Sequence, residues 1–416
     1  MALKKLFMQL RPIVTALGRH KIATVLIVLQ VALTLAVTSN AMFIVATSVV
    51  HLTRPSGTDE AHLFAIRNAW KKGISNAEID PTMRADLDTL RRVPGVRDAF
   101  PSQTYPMMGY GSRVTPVKLS PDQTTHPPMA SVYFADEHAL GTLGVTLVAG
   151  RNFQPTEVTA MGPDDKAALP GVIVTRELAD RLFPDGSALN KTVYLRYGTS
   201  TIIGIVDRLQ STYSRTRTMD FQTMLIPARP VDADEGVVYM VRTNGSGMTS
   251  VMAAAFKALQ QRGGMRIIDP DAGIVPIAKA REAAYAGDRS VAALMSIVCG
   301  LLLLATAGGI VGLSSFWVSQ RRKQIGIRRS LGATSADILG YFHAENFVLV
   351  SMGIVLGAVL AVAASIALMD NYPLPRMPLY VPLLGAALLW LVGQIAVWGP
   401  ARSAARVPPV VAIRAA

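Results

Sequence analysis

Four long apolar runs constrain this chain more than any other feature of its sequence. They cover residues 22–50, 291–318, 347–369 and 379–398. A helix rises about 1.5 Å per residue, so about 20 apolar residues cross a hydrocarbon core of roughly 30 Å. The first run is too long for the apolar part of a signal peptide, so it is expected to remain as an anchor. The sequence therefore predicts four transmembrane helices, the last ending at Trp398 and the Gly-Pro that follows it.

The net charge of +13 lies almost entirely beside these runs. Basic residues precede the first run, separate the second from the third and follow the fourth, with Asp337 as the single acid among them. They are Lys4, Lys5, Arg11, Arg19, Lys21, Arg321, Arg322, Lys323, Arg328, Arg329, Arg402, Arg406 and Arg414. By the positive-inside rule these three segments are cytoplasmic. The basic excess therefore indicates membrane orientation and disfavours nucleic-acid binding.

This orientation predicts the remaining organisation of the chain. A cytoplasmic amphipathic segment along the inner leaflet comes first, then a large extracytoplasmic domain, a cytoplasmic coupling loop, a short external loop and a cytoplasmic tail. They cover, in that order, residues 1–21, 51–288, 319–341, 370–378 and 399–416.

The large segment predicts an α+β domain of two subdomains. Its beginning alternates strand and helix patterns over residues 62–67, 84–92 and 96–100, and its end repeats them over 237–242, 248–262 and 265–268. The middle, about 115–218, has short strands at 172–175, 192–195 and 201–206 and a helix at 176–183. We interpret this middle part as an inserted subdomain.

Sequence motifs that carry catalysis are absent. The chain has no GxxxxGK[ST] phosphate loop and no GxSxG turn, and its one cysteine, Cys299, cannot form a disulfide within the chain. Asp136, Glu137 and His138 are interpreted as solvated surface, because three adjacent residues do not converge on one metal ion. We expect no enzyme activity from the chain by itself, and no catalytic, cofactor or metal site.

Three polar residues in or near the apolar runs are candidates for a role. His343 and Glu345 lie at the cytoplasmic edge of the third run, and ionisable residues there are functional candidates by default. Both are also close enough to the interface to extend their polar ends towards water. Gln30, within the first run, is expected to pack or hydrogen-bond between helices.

The cytoplasmic segment 320–339 is the most informative of the charged pieces. Its apolar residues lie among basic and small ones, Gly332 permits a bend, and Thr334 or Ser335 can cap a new helix with Asp337 in its first turn. Two interpretations of the residues stay open at this level. One is an amphipathic connector on the lipid headgroups, and the other is a docking element for a cytoplasmic protein.

Several motifs, in order along the chain, resemble one family. Residues 321–334 (RRKQIGIRRSLGAT) resemble the signature loop of MacB/FtsX-like ABC transporter permeases, which has basic residues, then Glu-Ile-Gly-Ile-Arg, then a Leu-Gly-Ala turn. The C-terminal sequences PARSAAR and PVVAIR are similar to the ending of that family. In the large domain, LGTLGVTLVAGRNF (140–153), VIVTRELADRLF (172–183) and IIGIV (202–206) resemble successive family segments. Gln324 departs from the pattern, since the family usually has Glu there.

The resemblance implies a permease of the type VII, mechanotransmission class, with a MacB-like periplasmic domain, in the bacterial inner membrane with both termini cytoplasmic. It implies a dimer with a second copy or a paralogue, a separate cytoplasmic ABC ATPase that holds ATP and Mg²⁺, and, in a two-membrane bacterium, a periplasmic adaptor (membrane fusion) protein. The loop residues expected to couple to the ATPase are Gln324, Ile325, Gly326, Ile327, Arg328, Arg329, Leu331, Gly332 and Ala333.

Three functions are therefore compared. The first is export or efflux of a substrate, driven by the ATPase through motion of the periplasmic domain. The second is a non-transporting permease that signals across the membrane to an outer enzyme. The third is a membrane-anchored receptor, which the loop motif disfavours because a receptor needs no ATPase-docking element. Asp substitutions at Gly326 and Leu331 are predicted to uncouple the ATPase.

Overall fold

The computed structural model describes residues 21–110, 113–162, 165, 169–213, 219–245, 247–371 and 376–408. The chain forms two compact units. A helical unit lies within Met1–Thr53 and Asp288–Ala416, and an α/β domain is formed by Arg54–Gly287. Apart from Lys21, the predicted amphipathic segment 1–21 lies outside the described residues, as do residues 409–416 of the tail.

The elements are numbered in chain order. The helical unit begins with α1 (Lys21–Thr53). The α/β domain contains β1 (Leu63–Trp70), α2 (Asn76–Arg91), β2 (Val96–Ser102), β3 (Arg113–Pro116), β4 (Met129–Ala135), α3 (Ala139–Leu143), β5 (Leu147–Gly150), β6 (Thr159–Met161), β7 (Val172–Thr175), α4 (Arg176–Leu182), β8 (Thr192–Leu195), β9 (Gly198–Val206), β10 (Thr223–Pro230), β11 (Val237–Thr243), α5 (Met248–Gln261), β12 (Arg266–Ile267), β13 (Ile274–Pro276) and α6 (Ile277–Ala284). The helical unit resumes with α7 (Ala286–Gln320), α8 (Arg322–Ser330), α9 (Ser335–Asn371) and α10 (Tyr380–Ala405).

Among the described residues, the four helices α1, α7, α9 and α10 are long and apolar enough to cross a membrane. The first three contain the predicted apolar runs and α10 begins one residue inside its run, and all four extend past the ends of the runs because backbone hydrogen bonding continues where hydropathy falls. Helix α9 begins at Ser335, ahead of the predicted position 347, so the predicted loop 319–341 is mostly helical. Helix α10 continues through Gly399 and Pro400, which were wrongly predicted to end it. Its last turns are held by burial of their alanines in the helical core.

Helices α1 and α9 approach each other closely at two glycines of α9. A Cβ atom on Gly353 would lie 2.6 Å from Cβ of Val31, and one on Gly357 would lie 2.8 Å from the carbonyl oxygen of Ala32. Asn40 Nδ2 of α1 also donates a 3.2 Å hydrogen bond to the carbonyl oxygen of Ala361. Lipid gives helices no hydrophobic reason to associate, so such close backbone contact is a main source of their attraction.

Helix α1 also contacts α7. The hydroxyl oxygens of Thr34 and Thr306 lie 2.8 Å apart, and both side chains are buried. The side-chain oxygen of Gln30 lies 2.6 Å from the position that a Cβ atom on Gly309 would take. The predicted packing role of Gln30 is therefore observed, and Gly309 supplies the space for it.

In the α/β domain, the two ends of the segment form one sheet. Its strand order is β12-β1-β11-β2, with β13 also pairing with β1, and the register pairs Ile66 with Tyr239 and Phe100 with Met240. Helices α2 and α5 cover one face through apolar residues at helical spacing, among them Leu87 and Leu259. These are the related αβ pieces that the sequence predicts at both ends of the domain.

The inserted segment forms the second sheet. Its order is β3-β4-β10-β7-β9-β5, with β6 pairing with β10 and β8 with β9. Strand β10 lies beyond the predicted end of the insertion at about 218 and pairs in parallel with β4 from Thr223↔Ser131 to Pro227↔Ala135. The insertion therefore runs to Pro230, because its central strand comes last in the chain.

Polar contacts join the two sheets within this domain. Gln103, just after β2, donates from Nε2 to the carbonyl oxygen of Val132 at 2.7 Å and accepts from the Phe134 N–H at 2.9 Å. Arg229 of β10 forms an ion pair with Asp80 of α2, with Nε and Oδ1 2.6 Å apart. The side-chain guanidinium of Arg229 is 11% exposed, so this pair is shielded from solvent.

Candidate functional site

Helix α8 and the turn after it form the candidate site, between the spanning helices α7 and α9. Helices α7 and α8 are separated at Arg321, whose φ and ψ of −99° and 11° depart from helical values. The Ile325 N–H still donates to the Arg321 carbonyl oxygen at 2.9 Å. Ile325 is buried in an apolar cluster with Ile338 of α9 and Ala404 of α10. One face of α8 is thereby fixed to two spanning helices.

The opposite face of α8 is open. The side chain of Ile327 is 44% exposed and that of Leu331, just past the end of the helix, is 82% exposed. Gln324 and Arg328 are also exposed, and the Arg328 guanidinium lies 5.0 Å from the ring centroid of Tyr341. Two aliphatic side chains are therefore exposed among basic ones, on a helix whose other face is buried.

The turn between α8 and α9 is held by two backbone hydrogen bonds. Gly332 has a φ of 97°, in the left-handed region that glycine adopts without strain, and its N–H donates to the Arg329 carbonyl oxygen at 3.1 Å. The Ala333 N–H donates to the Arg328 carbonyl oxygen at 3.0 Å, and its side chain packs against the apolar cluster. The helix therefore ends in a defined turn that presents Leu331 to solvent.

The start of α9 is capped as the sequence predicts. Thr334 Oγ1 accepts from the Asp337 N–H at 3.2 Å, and the Thr334 N–H donates to Asp337 Oδ2 at 2.9 Å. This reciprocal arrangement satisfies two backbone donors that the helix leaves unpaired. A carboxylate in the first turn also lies favourably at the positive end of the helix dipole.

The end of α10 holds the same segment from the other side. Arg329 Nη1 donates to the carbonyl oxygen of Val407 at 2.7 Å, and Ser335 Oγ donates to that of Ala405 at 3.3 Å. Hydrogen bonds from a charged donor are about twice as strong as neutral ones. The basic side chain of Arg329 is thus half-buried and bonded to the backbone after α10, whereas that of Arg328 is exposed and lies beside the Tyr341 ring.

The structure places the nine predicted coupling residues in two groups. The exposed group comprises Gln324, Ile327, Arg328, Leu331 and Gly332. The other group is buried or half-buried and comprises Ile325, Gly326, Arg329 and Ala333. The aspartate predicted to uncouple at Gly326 would therefore disturb the packing of α8 itself, so a test of docking belongs at Leu331 and Ile327.

The polar residues near the third apolar run have partners within the helical unit, which the sequence does not predict. Glu345 is buried and forms an ion pair with Arg321, with Oε1 3.0 Å from Nη1. His343 Nδ1 lies 2.7 Å from Gln394 Oε1 of α10. Asn346 Nδ2 donates to the carbonyl oxygen of Gly393 at 2.9 Å. Each side chain has a tertiary partner that hydropathy alone cannot show.

The interpretation of residues 136–138 as solvated surface is wrong for Asp136. This carboxyl is 4% exposed, and burial raises its pKa to about 7, with repulsion from Glu137 acting in the same direction. Its Oδ2 lies 3.6 Å from Arg91 Nη2, and its Oδ1 accepts from the His138 N–H at 2.9 Å. His138 Nδ1 lies 3.0 Å from Asp98 Oδ2, so the group joins β2 to the segment after β4. No cluster of three metal-ligating residues is found in the described part of the chain.

These features define a class of protein. It is a membrane protein whose described residues include four helices able to span a bilayer, an α/β domain between the first and second of them, and a short basic helix between the second and third. Residues 24–259 match the MacB-like periplasmic core domain, and residues 296–409 match the FtsX-like permease C-terminal domain. The first match covers more than half of the chain, and the chain belongs to the MacB/FtsX-like permease family.

Individual relatives are distant. The chain is 22% identical over 292 residues to the macrolide export ATP-binding/permease protein MacB of Neisseria gonorrhoeae, covering 68% of this chain and 43% of that protein. It is 21% identical over 299 residues to the uncharacterized ABC transporter permease YvrN of Bacillus subtilis, covering 70% and 71%. The crystal structure of the periplasmic region of MacB from Actinobacillus actinomycetemcomitans aligns at 15% identity with a TM-score of 0.34, over 56% of this chain and 96% of that one. The chain spans less than half the length of the MacB relative.

Proposed function

We propose that this chain is the permease subunit of an ABC transporter, and that a separate ATPase drives export of a substrate through motion of the α/β domain. The observation that carries the proposal is the two-sided construction of α8. Ile325 fixes one face within the helical core, while Leu331 and Ile327 leave an apolar pair open on the other. Because α8 is packed against α9 and α10, a partner that displaces α8 from its open face would also displace these two spanning helices.

The chemistry of the open face is suited to a groove on a cytoplasmic protein. A helix docks into such a groove through a few apolar anchors surrounded by polar and charged contacts. Leu331 and Ile327 are the anchors here, and Arg328 contributes positive charge beside them. Gln324 is exposed on the same helix and would contact the partner by hydrogen bonds rather than by the ion pair that a glutamate allows.

The remaining parts of the proposal concern location and partners. Positive charge beside the apolar runs supports the bacterial inner membrane, with both termini and α8 cytoplasmic and the α/β domain periplasmic. In this arrangement ATP and Mg²⁺ bind the partner ATPase, and this chain takes part in no bond-making step. A periplasmic adaptor protein would contact the α/β domain.

A second permease copy or a paralogue is proposed as a further partner, on α7. In the apolar stretch of α7, 11% of the residues are buried, against 50% of those in the apolar stretch of α1. Its exposed side chains repeat at helical spacing and include Leu294, Ile297, Leu301 and Leu304. A cysteine at Ile297, in a Cys299→Ser background, should crosslink two copies if they meet there.

The test of the proposal is recovery of an ATPase. The tagged full chain, solubilised in detergent and repeated in lipid nanodiscs, is expected to retain a soluble ABC ATPase that mass spectrometry identifies. Burying a leucine side chain contributes about 1.5–3 kcal/mol. The Leu331→Asp variant should therefore bind that ATPase at least about tenfold more weakly.

The matched control is Leu119→Asp, which places the same charge on an exposed leucine of the α/β domain. It should retain wild-type affinity for the ATPase. Wild-type chain that recovers no ATPase in detergent or in nanodiscs would refute the proposal and favour a receptor. Recovery of an ATPase with a cell-wall enzyme bound to the α/β domain, and no transported substrate, would instead favour the signalling permease.

A further inference from the structure

The ion pair between Arg321 and Glu345 is the feature of the helical unit that the docking surface does not explain. Arg321 Nη1 lies 3.0 Å from Glu345 Oε1 and 3.1 Å from Oε2. The Glu345 side chain is 2% exposed and that of Arg321 is 15% exposed. The guanidinium also lies 5.6 Å from the ring centroid of Trp317. A carboxylate buried among spanning helices is costly, so a chain that retains one has a use for it.

Arg321 stands at the joint between two helices. Its N–H donates to the Trp317 carbonyl oxygen of α7 at 3.0 Å, and its own carbonyl oxygen accepts from the Ile325 N–H of α8 at 2.9 Å. The joint residue therefore carries the side chain that reaches α9. Two contacts therefore link α8 to α9: the ion pair between Arg321 and Glu345, and the apolar packing of Ile325.

Glu345 lies on α9, whose backbone packs closely against α1. Further along α9, Gly353 and Gly357 leave no room for a Cβ atom beside Val31 and Ala32. A displacement of α9 must therefore move α1 with it or open that contact. Helix α1 ends at Thr53, and the α/β domain begins at the next residue of the chain.

We propose that the Arg321–Glu345 pair is a positioning device that makes α8 and α9 move as one body, so that a docked ATPase displaces α9 and, through it, α1. The inference rests on the proposed function for its ATPase. Neither residue belongs to the open face of α8, because Glu345 is on α9 and Arg321 precedes α8 with its guanidinium turned to Glu345. The pair is expected to affect transmission and not affinity.

The first experiment uses the full chain in lipid nanodiscs with the ATPase that it recruits, and measures two quantities. One is the Kd of the ATPase for the nanodisc, and the other is the part of ATP hydrolysis that depends on the permease. Glu345→Gln and Arg321→Gln should each lower that hydrolysis at least about tenfold, because each removes one partner of an ion pair that is shielded from solvent. The Kd should stay within about twofold of the wild-type value.

Two further variants test whether Arg321 and Glu345 act as a pair, and a third is a control. The double variant Arg321→Gln/Glu345→Gln should be no worse than either single variant, since effects of residues that act together are not additive. Arg321→Lys keeps the charge and should restore part of the lost hydrolysis. Glu157→Gln breaks the Arg151 ion pair of the α/β domain and should change neither quantity.

A second experiment needs no ATPase. Spin labels at Ser330→Cys and Met352→Cys, in a Cys299→Ser background, report the distance between the end of α8 and α9. Both sites are exposed. With the Arg321–Glu345 ion pair intact, the two labels should give one narrow distance distribution, and Glu345→Gln should broaden it. If Glu345→Gln does not insert into the membrane, Arg321→Gln/Glu345→Gln is measured instead.

The outcomes are distinct. Unchanged hydrolysis in Glu345→Gln, or an unchanged distance distribution, overturns the inference. A Kd that weakens in step with hydrolysis also overturns it, because the pair would then only support the shape of the docking surface. A wild-type chain that binds no ATPase refutes the proposed function, and the spin-label distances then still decide whether the pair joins α8 to α9.

Discussion

Replacing Gly353 with alanine is expected to force α1 and α9 apart. The added Cβ atom would lie 2.6 Å from Cβ and 2.7 Å from Cγ1 of Val31, and 3.0 Å from the carbonyl oxygen of Val28. Carbon atoms in contact are separated by about 3.5–4.0 Å, so the helices must move apart by about 1 Å. The Val28 carbonyl oxygen and the Val31 Cβ atom do not move when a side chain changes rotamer, so a rotamer change alone cannot relieve these two contacts.

The magnitude follows from a comparison with another glycine of the same helix. Forcing an extra methyl group into a packed contact costs about 1–3 kcal/mol. Alanine also favours the helix over glycine by about 1 kcal/mol. A Cβ atom on Gly340 meets nothing within 4 Å. Gly340→Ala gains only the helix preference, so the free energies of unfolding of the two variants should differ by about 1–3 kcal/mol.

The assay is equilibrium unfolding of the purified full-length chain in mixed micelles by an anionic detergent, followed by far-ultraviolet circular dichroism. Gly340→Ala should unfold at a slightly higher detergent fraction than the wild type, and Gly353→Ala at a lower fraction than Gly340→Ala. Equal midpoints for the two variants would refute the reasoning, because they would mean that α1 and α9 are not held in contact at this glycine.

Three further outcomes are expected. Thr334→Ala should cost about 1 kcal/mol by removing the cap of α9, and amide hydrogen exchange should accelerate in residues 335–338 while the rest of α9 is unchanged. Asp86, fully buried, forms ion pairs with Arg266 and Arg262 and accepts from the Tyr239 hydroxyl at 2.8 Å. Asp86→Asn should destabilise the α/β domain by about 3–5 kcal/mol, measured by urea unfolding with pulsed hydrogen exchange. Burial raises the Asp136 pKa from 3.8 to about 7, so its contribution to stability is complete below about pH 4 and is lost as pH rises through 7. Asp136→Asn should therefore remove a fall in domain stability over that window, and equal slopes in the two proteins would contradict the assignment.

Much of the fold is predictable because it depends on local patterns. The apolar runs locate the spanning helices, since a membrane requires a minimum apolar length. The β-branched run Val172–Thr175, followed directly by a helix, is predicted at the bounds that the structure has. Strand β10 is not predicted by its sequence, which contains Pro227 and Pro230, because proline disfavours a strand. Pro227 forms the last pair of β10 with β4, opposite Ala135, and lies beyond Met224 and Leu225, the residues that pair with β7.

The candidate site is predictable only in part. The motif locates α8, and the Thr334 cap follows from the spacing to Asp337. Which side of α8 is buried depends on α9 and α10, so the burial of Gly326 cannot be obtained from its own neighbours in sequence. Hydropathy treats Glu345 as an unfavourable charge, whereas the structure pairs it with Arg321 through a tertiary contact. The same holds for Asp136, whose charged neighbour Arg91 comes from α2.

The way in which the second sheet is inserted has an evolutionary consequence. Ser102, the last residue of β2, pairs directly with Val238 near the start of β11. Everything between them, including the whole second sheet, therefore leaves and rejoins the first sheet at one point. A short antiparallel turn could close that gap with the first sheet left intact. The second sheet is thus a module that a lineage can enlarge, exchange or lose, while the first sheet keeps its connections to the membrane helices unaltered.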